Sequence, residues 1–564
     1  MHLSRQQAFR RLGSTTLLAL MCAILFTPGA KAQTSAGNLA GKVVDKSGAA
    51  LPGVTVTATE KATGYDRVTV TATDGAFRLP SLPVGLYTLK ADLEGFGTVN
   101  IEEVKVDVAT DRKLEITLNQ SSVSEAITVV DEAPLIQSSP SIGTVVSQQE
   151  LQNLPLNGRQ FANLAVLAPG TTLGYNTDPT KPGQLVVQLN GGIGRNVNYM
   201  IDGGDNTDDT IGGALQNFSL ESVQEFKIQT GLYKAEYGRT TGGVLSVVTK
   251  SGTNQISGSA YSYFRNDGLN SESTNERLAR SGKTALDRKQ YGASLGGPIV
   301  QDKLHFFLTY EKTDRSTNYT VVTGGIVPAF DGKVVPLPFK DELGTAKLTY
   351  DISPKQYLQV RYGFQKNSDK YGVSPLATPD SLGTIRNDYK SLLVGHTAQL
   401  GSEMLNEVLF QYTKFSNAIT ADSTAPFVQY PNGVTTGQNF NTPQHTFQTK
   451  YQYKDDFSFS RSLAGRRHDF KAGFNVVHEP VLSGDFTTGT TGQFTALNSH
   501  LGSPIIDITT FGGFAGQKTP VDQYSGYLQD DWSATDRLTL NIGLRYDLFT
   551  GFDLNQTSNP IWQA

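Results

Sequence analysis

Residues 219–264 read SLESVQEFKIQTGLYKAEYGRTTGGVLSVVTKSGTNQISGSAYSYF, and they join two kinds of chain. Before Lys250 the sequence is Gly-rich and mixes helical and strand patterns. After it, past the turn formers Gly252 and Asn254, it becomes a series of runs of about ten residues that alternate apolar and polar. Eleven such runs follow: 256–265, 290–299, 304–312, 344–352, 356–365, 390–400, 404–415, 446–459, 467–478, 523–532 and 537–548. Their length matches the roughly 9 to 11 residues with which a tilted strand crosses a bilayer.

The last run shows the pattern most clearly. Leu538, Leu540, Ile542, Leu544, Tyr546 and Leu548 fall on one face, and Arg537, Thr539, Asn541, Arg545 and Asp547 on the other. An apolar face for lipid and a polar face for a lumen require this period of two. The connectors alternate as well. Long ones (313–343, 366–389, 416–445) are separated by short ones (300–303, 353–355, 401–403, 533–536). Outer-membrane barrels have this asymmetry, with long loops outside and tight turns facing the periplasm. Eleven is an odd number and bacterial single-chain barrels close with an even one, so residues 253–564 are expected to form an incomplete barrel, about half of a larger one.

The 564 residues exceed one ordinary core. A hydrophobic content of 38% and a mean hydropathy of −0.28 fit such a barrel, because only alternate residues meet lipid. Arg5, Arg10 and Arg11, the apolar run 17–26, and Ala30-Lys31-Ala32 form the three-part layout of a secretory signal peptide over 1–32. Its removal takes away Arg5, Arg10, Arg11 and Lys31 and no acid, so the formal charge of −4 becomes −8. Such a balance offers no electrostatic footing for nucleic acid. The single cysteine, Cys22, leaves with the leader, so the mature chain holds no thiol for disulfides or thiolate metal sites.

Residues 37–119 carry short β-rich runs separated by turn groups such as Lys46-Ser47-Gly48 and Thr73-Asp74-Gly75, the spacing of a small β-sandwich. GKVVDKSGAALPGVTVTAT (41–59) and TDGAFRLPSLPVGLYTLKADLEGFG (73–97) resemble the carboxypeptidase-regulatory-like domain, a transthyretin-like sandwich with carbohydrate-binding-like relatives. That resemblance permits glycan binding by Tyr65, Phe77, Tyr87 and Phe96. Burial of these rings in the sandwich core is the favoured alternative. Residues 120–140 read as a linker with one β-branched run, and 141–252 mix helices at 147–154 and 161–167 with several strands.

Three further stretches, LPLNGRQFANLAVLAPG (154–170), LNGGIGRNVNYMIDGGDN (189–206) and SVQEFKIQTGLYKAEYGRTTGGVLSVVTKSGTN (222–254), closely resemble the plug domain of Oar-like TonB-dependent outer-membrane transporters. The resemblance implies a mainly β protein: a periplasmic sandwich, an α/β plug and an antiparallel transmembrane β-barrel in a Gram-negative outer membrane. It also implies energised passage of a large or scarce solute, with carbohydrate or peptide among the candidates, and a TonB-type inner-membrane complex as partner. By position and by likeness to the family's short box, Ala126, Ile127, Thr128, Val129 and Val130 are the candidate TonB box; the alternative is that this run is the first strand of the plug or the last of the sandwich. The alternative from another class is an adhesion or glycan-binding protein that uses the barrel as an anchor.

Candidate constellations are few. Asp202, Asp205, Asp208 and Asp209 lie close together but lack the ligand spacing of a calcium loop, and a solvated turn is expected there. The seven histidines are scattered with no HExxH, no phosphate-loop glycine spacing is present, and no zinc-ligand set accompanies the sandwich, so no catalytic residue, metal or cofactor is assigned. Arg159, Arg195, Glu236 and Arg239 are the plug charges to watch, with Asp202 and Asp205. In a polar lumen they can pair with inward barrel charges such as Arg361, Glu407 or Arg545, and simple surface solvation is the equal alternative.

Overall fold

The computed structural model describes residues 36–120, 127–130, 141–174, 178–184, 186–192, 194–279, 282–486, 492–510, 514–535 and 538–551. The expected leader and Ala126 lie outside these residues. The N-terminal sandwich is built from β1 (Gly37–Asp45), β2 (Thr55–Glu60), β3 (Asp66–Val70), β4 (Ala76–Leu82), β5 (Gly85–Asp92), β6 (Val99–Val106), β7 (Asp111–Leu118) and β8 (Ile127–Val130). One sheet has the order β4-β1-β7 and the other β3-β2-β5-β6-β8. Strands β6 and β7 are not marked by a clear β-rich run in the sequence. Their apolar positions are interrupted by Glu102-Glu103 and by Arg112-Lys113, which hides the alternation.

Leu39, Val56, Phe77, Leu79, Tyr87, Leu89 and Ile116 are fully buried between the two sheets, and Tyr65 joins them. Phe96 packs against the edge of this core. Tyr65, Phe77 and Tyr87 therefore fill the sandwich core, the favoured one of the two readings of these rings.

The plug contains β9 (Ile142–Val146), α1 (Gln148–Asn153), β10 (Thr171–Leu173), β11 (Val187–Leu189), β12 (Val197–Ile201), β13 (Gly204–Asp205), β14 (Val223–Gly231) and β15 (Gly243–Thr249). Ser147 and Glu150 cap α1 reciprocally, each side chain taking up a free N–H of the first turn. Residues 161–167 form a 3-10 helix where the sequence reads as a regular one. Gln160 makes no side-chain cap there, and Pro169-Gly170 ends the segment after two turns. The main sheet runs β13-β12-β15-β14-β9, with β12 and β15 parallel. Phe161 packs edge-on against Phe226 at 5.5 Å in its core.

Eleven long antiparallel strands follow: β16 (Ser257–Asn266), β17 (Leu286–Val300), β18 (Leu304–Thr320), β19 (Val334–Ser353), β20 (Gln356–Tyr371), β21 (Gly383–Gln399), β22 (Met404–Ala421), β25 (Gln444–Leu463), β26 (Arg466–Phe486), β30 (Val521–Thr535) and β31 (Leu538–Thr550). Between them, β23 (Phe427–Gln429), β24 (Thr435–Thr436), β27 (Gln493–Ala496) and β28 (Ile505–Thr509) form a small sheet among the long connectors, and β29 (Phe514–Lys518) pairs with β26. A helix, α2 (Thr274–Ala279), lies in the first long connector. Each sequence run maps to one of the eleven strands, but most strands are 13 to 21 residues long. The bilayer sets only the length of the lipid-facing middle, and ladder pairing carries the strands on beyond it. The loops are correspondingly shorter than expected: 321–333, 372–382 and 422–443.

The sheet runs from β16 to β31 as an open wall, and these two strands do not pair with each other. Its surface inverts that of a soluble protein. Lys347, Gln359, Arg361, Gln411 and Lys450 are buried on the inner face, while Leu348, Tyr362, Phe410 and Tyr451 are exposed on the outer one. That is the division required by lipid outside and a filled lumen inside.

The sandwich sits at the short-turn end. Thr69 Oγ1 donates to the Ser402 carbonyl (3.0 Å), Gln399 Nε2 to that of Val68 (2.8 Å), and the Tyr65 and Tyr357 rings meet edge-on at 5.6 Å. Short turns and sandwich therefore share one side of the membrane. In intact cells an impermeant thiol reagent is expected to label Thr424→Cys, in a long loop, and to spare Ser402→Cys; the opposite result reverses the topology.

Candidate functional site

The hairpin β12–β13 turns at Asp202 and Gly203, both with positive φ (49° and 83°), the type I′ geometry favoured by an Asp-Gly pair. Gly204 follows against the barrel wall, where any Cβ would collide with Gln411. This close approach places the Asp202 carboxylate on the inner face of the barrel. There it accepts from Lys347 Nζ (3.2 Å), Arg361 Nη1 (3.1 Å), the Thr249 N–H (2.9 Å) and Thr249 Oγ1 (2.6 Å). Asp202 and both cations are at most 3% exposed.

Three more carboxylates extend the contact. Asp205 pairs with Arg239 (2.7 Å) and Lys450 (3.3 Å), and Asp209 is held by the same two cations. Asp208 pairs with Lys181 and accepts from Gln448 Nε2 (2.8 Å) on the barrel. The main chain joins in: the Asp205 N–H donates to Gln452 (2.8 Å), and Gln411 donates to the Asp205 carbonyl (2.6 Å). Burial alone raises the Asp205 carboxyl, but Arg239 and Lys450 beside it outweigh that and hold it at about 2. The acidic run is thus no solvated turn. Its carboxylates are buried against five cations, three of them from the barrel wall. Among the described residues no group of three or more His, Cys, Asp or Glu side chains is placed to hold a metal.

The remaining plug charges divide. Glu236 pairs with Lys471 on β26, and its carbonyl accepts from Arg545 Nη1 (3.1 Å), so these backbone and side-chain bonds tie residues 235–236 to the wall. Arg159 pairs with Glu221 inside the plug (2.9 Å) and lies over the Tyr261 and Tyr263 rings of β16 at 4.6 and 4.5 Å. Arg239, read as able to pair with a barrel charge, pairs with plug acids instead. Of the candidate barrel partners, Arg361 pairs with the Asp202 carboxylate, Arg545 donates to plug carbonyls, and Glu407 is buried on β22. Arg195 lies in a short 3-10 turn, and its side chain is outside the described residues. Lys181, Lys347, Lys450 and Lys471 were absent from the sequence reading. Strand alternation puts Lys347 and Lys450 on the inward face, but nothing local says which plug acid each one meets.

The sandwich grips the same plug through its β6–β7 turn. Lys227 Nζ donates to the Ala109 carbonyl (2.7 Å), Lys234 bridges Asp111 (2.8 Å) and Asp531 of β30 (2.7 Å), and the Val108 N–H donates to Glu225. Burial, and then the nearby Asp107 carboxylate, push the Glu225 carboxyl up to about 8. A cleft of about 750 Å³ lies where sandwich, plug and barrel meet, with Glu60, Tyr65, Asp202, Lys250 and Tyr357 on its walls.

Two outcomes follow from these contacts. Asp202→Ala strands Lys347 and Arg361 without a carboxylate, and is expected to weaken plug seating by about 3 to 5 kcal/mol, read as faster protease cleavage of the plug. Replacing all three charges by apolar residues of similar size should recover most of the loss. Glu225 takes up a proton on docking, so docking is strongest below about pH 4.5, its free value, and weakens as pH rises toward 8. Hydrogen exchange in the 107–111 turn should follow that slope, and Glu225→Gln should flatten it.

Comparison with known proteins agrees with this architecture. Residues 38–119 match the carboxypeptidase regulatory-like domain, 136–244 the TonB-dependent receptor plug domain, and 248–332 with 330–559 an outer membrane beta barrel domain. The chain is 26% identical to the TonB-dependent transporter Oar of Myxococcus xanthus over 97% of its own length and 60% of that protein's. Among solved structures it resembles the outer membrane transporter YddB of Escherichia coli (TM-score 0.59, 13% identity, 74% of this chain and 57% of that one). It also resembles the siderophore receptor PirA of Acinetobacter baumannii (TM-score 0.51, 16% identity, 72% and 57%). The chain therefore spans about three fifths of the length of these relatives. With a regulatory-like sandwich, a TonB-dependent receptor plug domain and a lipid-facing β wall in that order, an arrangement similar to that of Oar, it belongs to the outer membrane beta barrel domain family.

Proposed function

We propose that this chain forms the periplasmic domain, the plug and part of the wall of an energised transporter that moves a large or scarce solute across the outer membrane. The observation that carries this reading is the seating of the plug, held to the inner wall by buried ion pairs at Asp202, Asp205 and Glu236 and by the hydrogen bond from Gln448 to Asp208. Buried pairs of this kind contribute little net stability compared with apolar packing, but they fix position and can re-pair after a shift. A membrane anchor has no need of such a plug, and the buried sandwich aromatics give the adhesion reading no support. Chemistry on the solute is not part of the proposal.

The outer membrane has no nucleotide or ion gradient of its own, so the plug has to be moved by a TonB-type inner-membrane complex. Ile127–Val130 is the segment proposed for its grip. It is extended and β-branched, it precedes the plug in the chain, and it pairs with β6 at the edge of the sandwich. Strand addition supplies affinity through main-chain hydrogen bonds, which proline cannot donate. In the full-length protein Thr128→Pro is expected to abolish uptake while leaving surface binding of the solute intact. The measurement is growth of a complemented deletion strain on chelated metals, glycans and peptides. Wild-type growth on the dependent solute would remove this segment as the coupling site.

A further inference from the structure

The segment 127–130 is not free. As β8 it lies parallel to β6 of the sandwich in the register Val99–Ile127, Asn100–Thr128, Ile101–Val129 and Glu102–Val130. It is the terminal strand of the sheet β3-β2-β5-β6-β8, and no other described strand pairs with its far edge. β6, its one neighbour, ends at Val106 and runs directly into the turn that the plug holds through Glu225, Lys227 and Lys234.

From this arrangement we propose that the sandwich is part of the docking surface for the energy partner: β8 stays on β6, and a strand of the partner adds to the open edge of β8 as the sixth strand of the sandwich sheet. The proposal rests on the coupling role of 127–130 argued above. Three features support addition over displacement. Among the described residues no strand covers the far edge of β8, and a sheet edge offers its N–H and C=O groups to an incoming strand. The segment is already extended, so the partner need not order it from a flexible chain. The load also has a continuous route, since a pull on the composite sheet passes through β6 into the turn gripped by plug strand β14, whereas a stripped β8 would leave the sandwich out of that route. In addition, Arg78 lies 3.7 Å from Asp469 and Lys113 donates to Thr539 (3.3 Å), so the sandwich is fixed to the barrel rim and holds the edge in place.

The test uses the full-length protein in outer-membrane vesicles and the purified periplasmic domain of the host's TonB-type protein as probe. Asn100→Cys with Thr128→Cys, in a background from which other cysteines have been replaced, places two thiols at paired positions, and a short cleavable bis-thiol reagent locks β8 to β6. Probe affinity within about twofold of the unlocked protein is the expected result. Loss of binding on locking, restored when the bridge is cleaved, would show that the partner strips β8 from the sandwich and would overturn the proposal. Single prolines at 127 to 130 separate this from the reading beneath it. Successive N–H groups of a strand point to opposite edges, so two alternating positions are expected to lose more than tenfold in affinity and the other two much less. Wild-type affinity at all four would remove the coupling role itself, and the proposal with it.

Discussion

The constraint on which the rest depends is that a wall facing lipid must turn its polar side chains inward, where they have to be matched or hydrated. On this wall Lys347, Arg361, Lys450 and Lys471 point away from lipid, and the first three are almost completely buried. Isolated charges in that state would cost several kcal/mol each. The plug supplies what they lack: Asp202, Asp205, Asp209 and Glu236 stand opposite them, with glutamines 411, 448 and 452 filling the gaps with hydrogen bonds. The inversion that lets the sheet lie in a membrane is therefore also what specifies the plug's position.

Charge matching of this kind favours a seat that is specific without being deeply stable. An apolar plug–wall interface would gain more from burial and would be harder to move. Ion pairs exchange partners over short distances at modest net cost when water follows the moving charge. Arg239 and Lys450 already share Asp205 and Asp209, a cluster in which a small displacement changes which pair is closest. The sandwich contributes the other half of the mechanics, with one turn in the grip of the plug, side chains on the barrel rim and the proposed coupling strand on its sheet edge.

Much of this was legible in advance, for physical reasons that can be named. The period of two along 538–548 follows from having lipid on one side only, and it placed all eleven strands. A turn is expected at the acidic run, and at Asp202-Gly203 it is a tight hairpin, because both residues tolerate positive φ. Strand ends were less legible, since ladder pairing continues β18 and β19 through residues 313–320 and 334–343 that carry little apolar alternation. The helix expected at 161–167 became a 3-10 segment for want of a cap. The largest misreading was the acidic run 202–209: locally it has the composition of a solvated turn, and only a wall arriving from residues 347, 361 and 450 makes it a buried contact.

By itself the sequence determined the order of the three parts, the two-faced character of the wall and the alternation of long and short connectors, because each depends on near neighbours or on a solvent that every strand shares. Tertiary structure alone decided which charge meets which. Asp202 reaches Lys347 and Arg361 across more than 140 positions in the chain, and Ile127–Val130 rests on a strand of the sandwich and not on the plug it precedes. Such pairings are set by the register of separate sheets brought together at a distance, and that register leaves no local trace in composition or spacing.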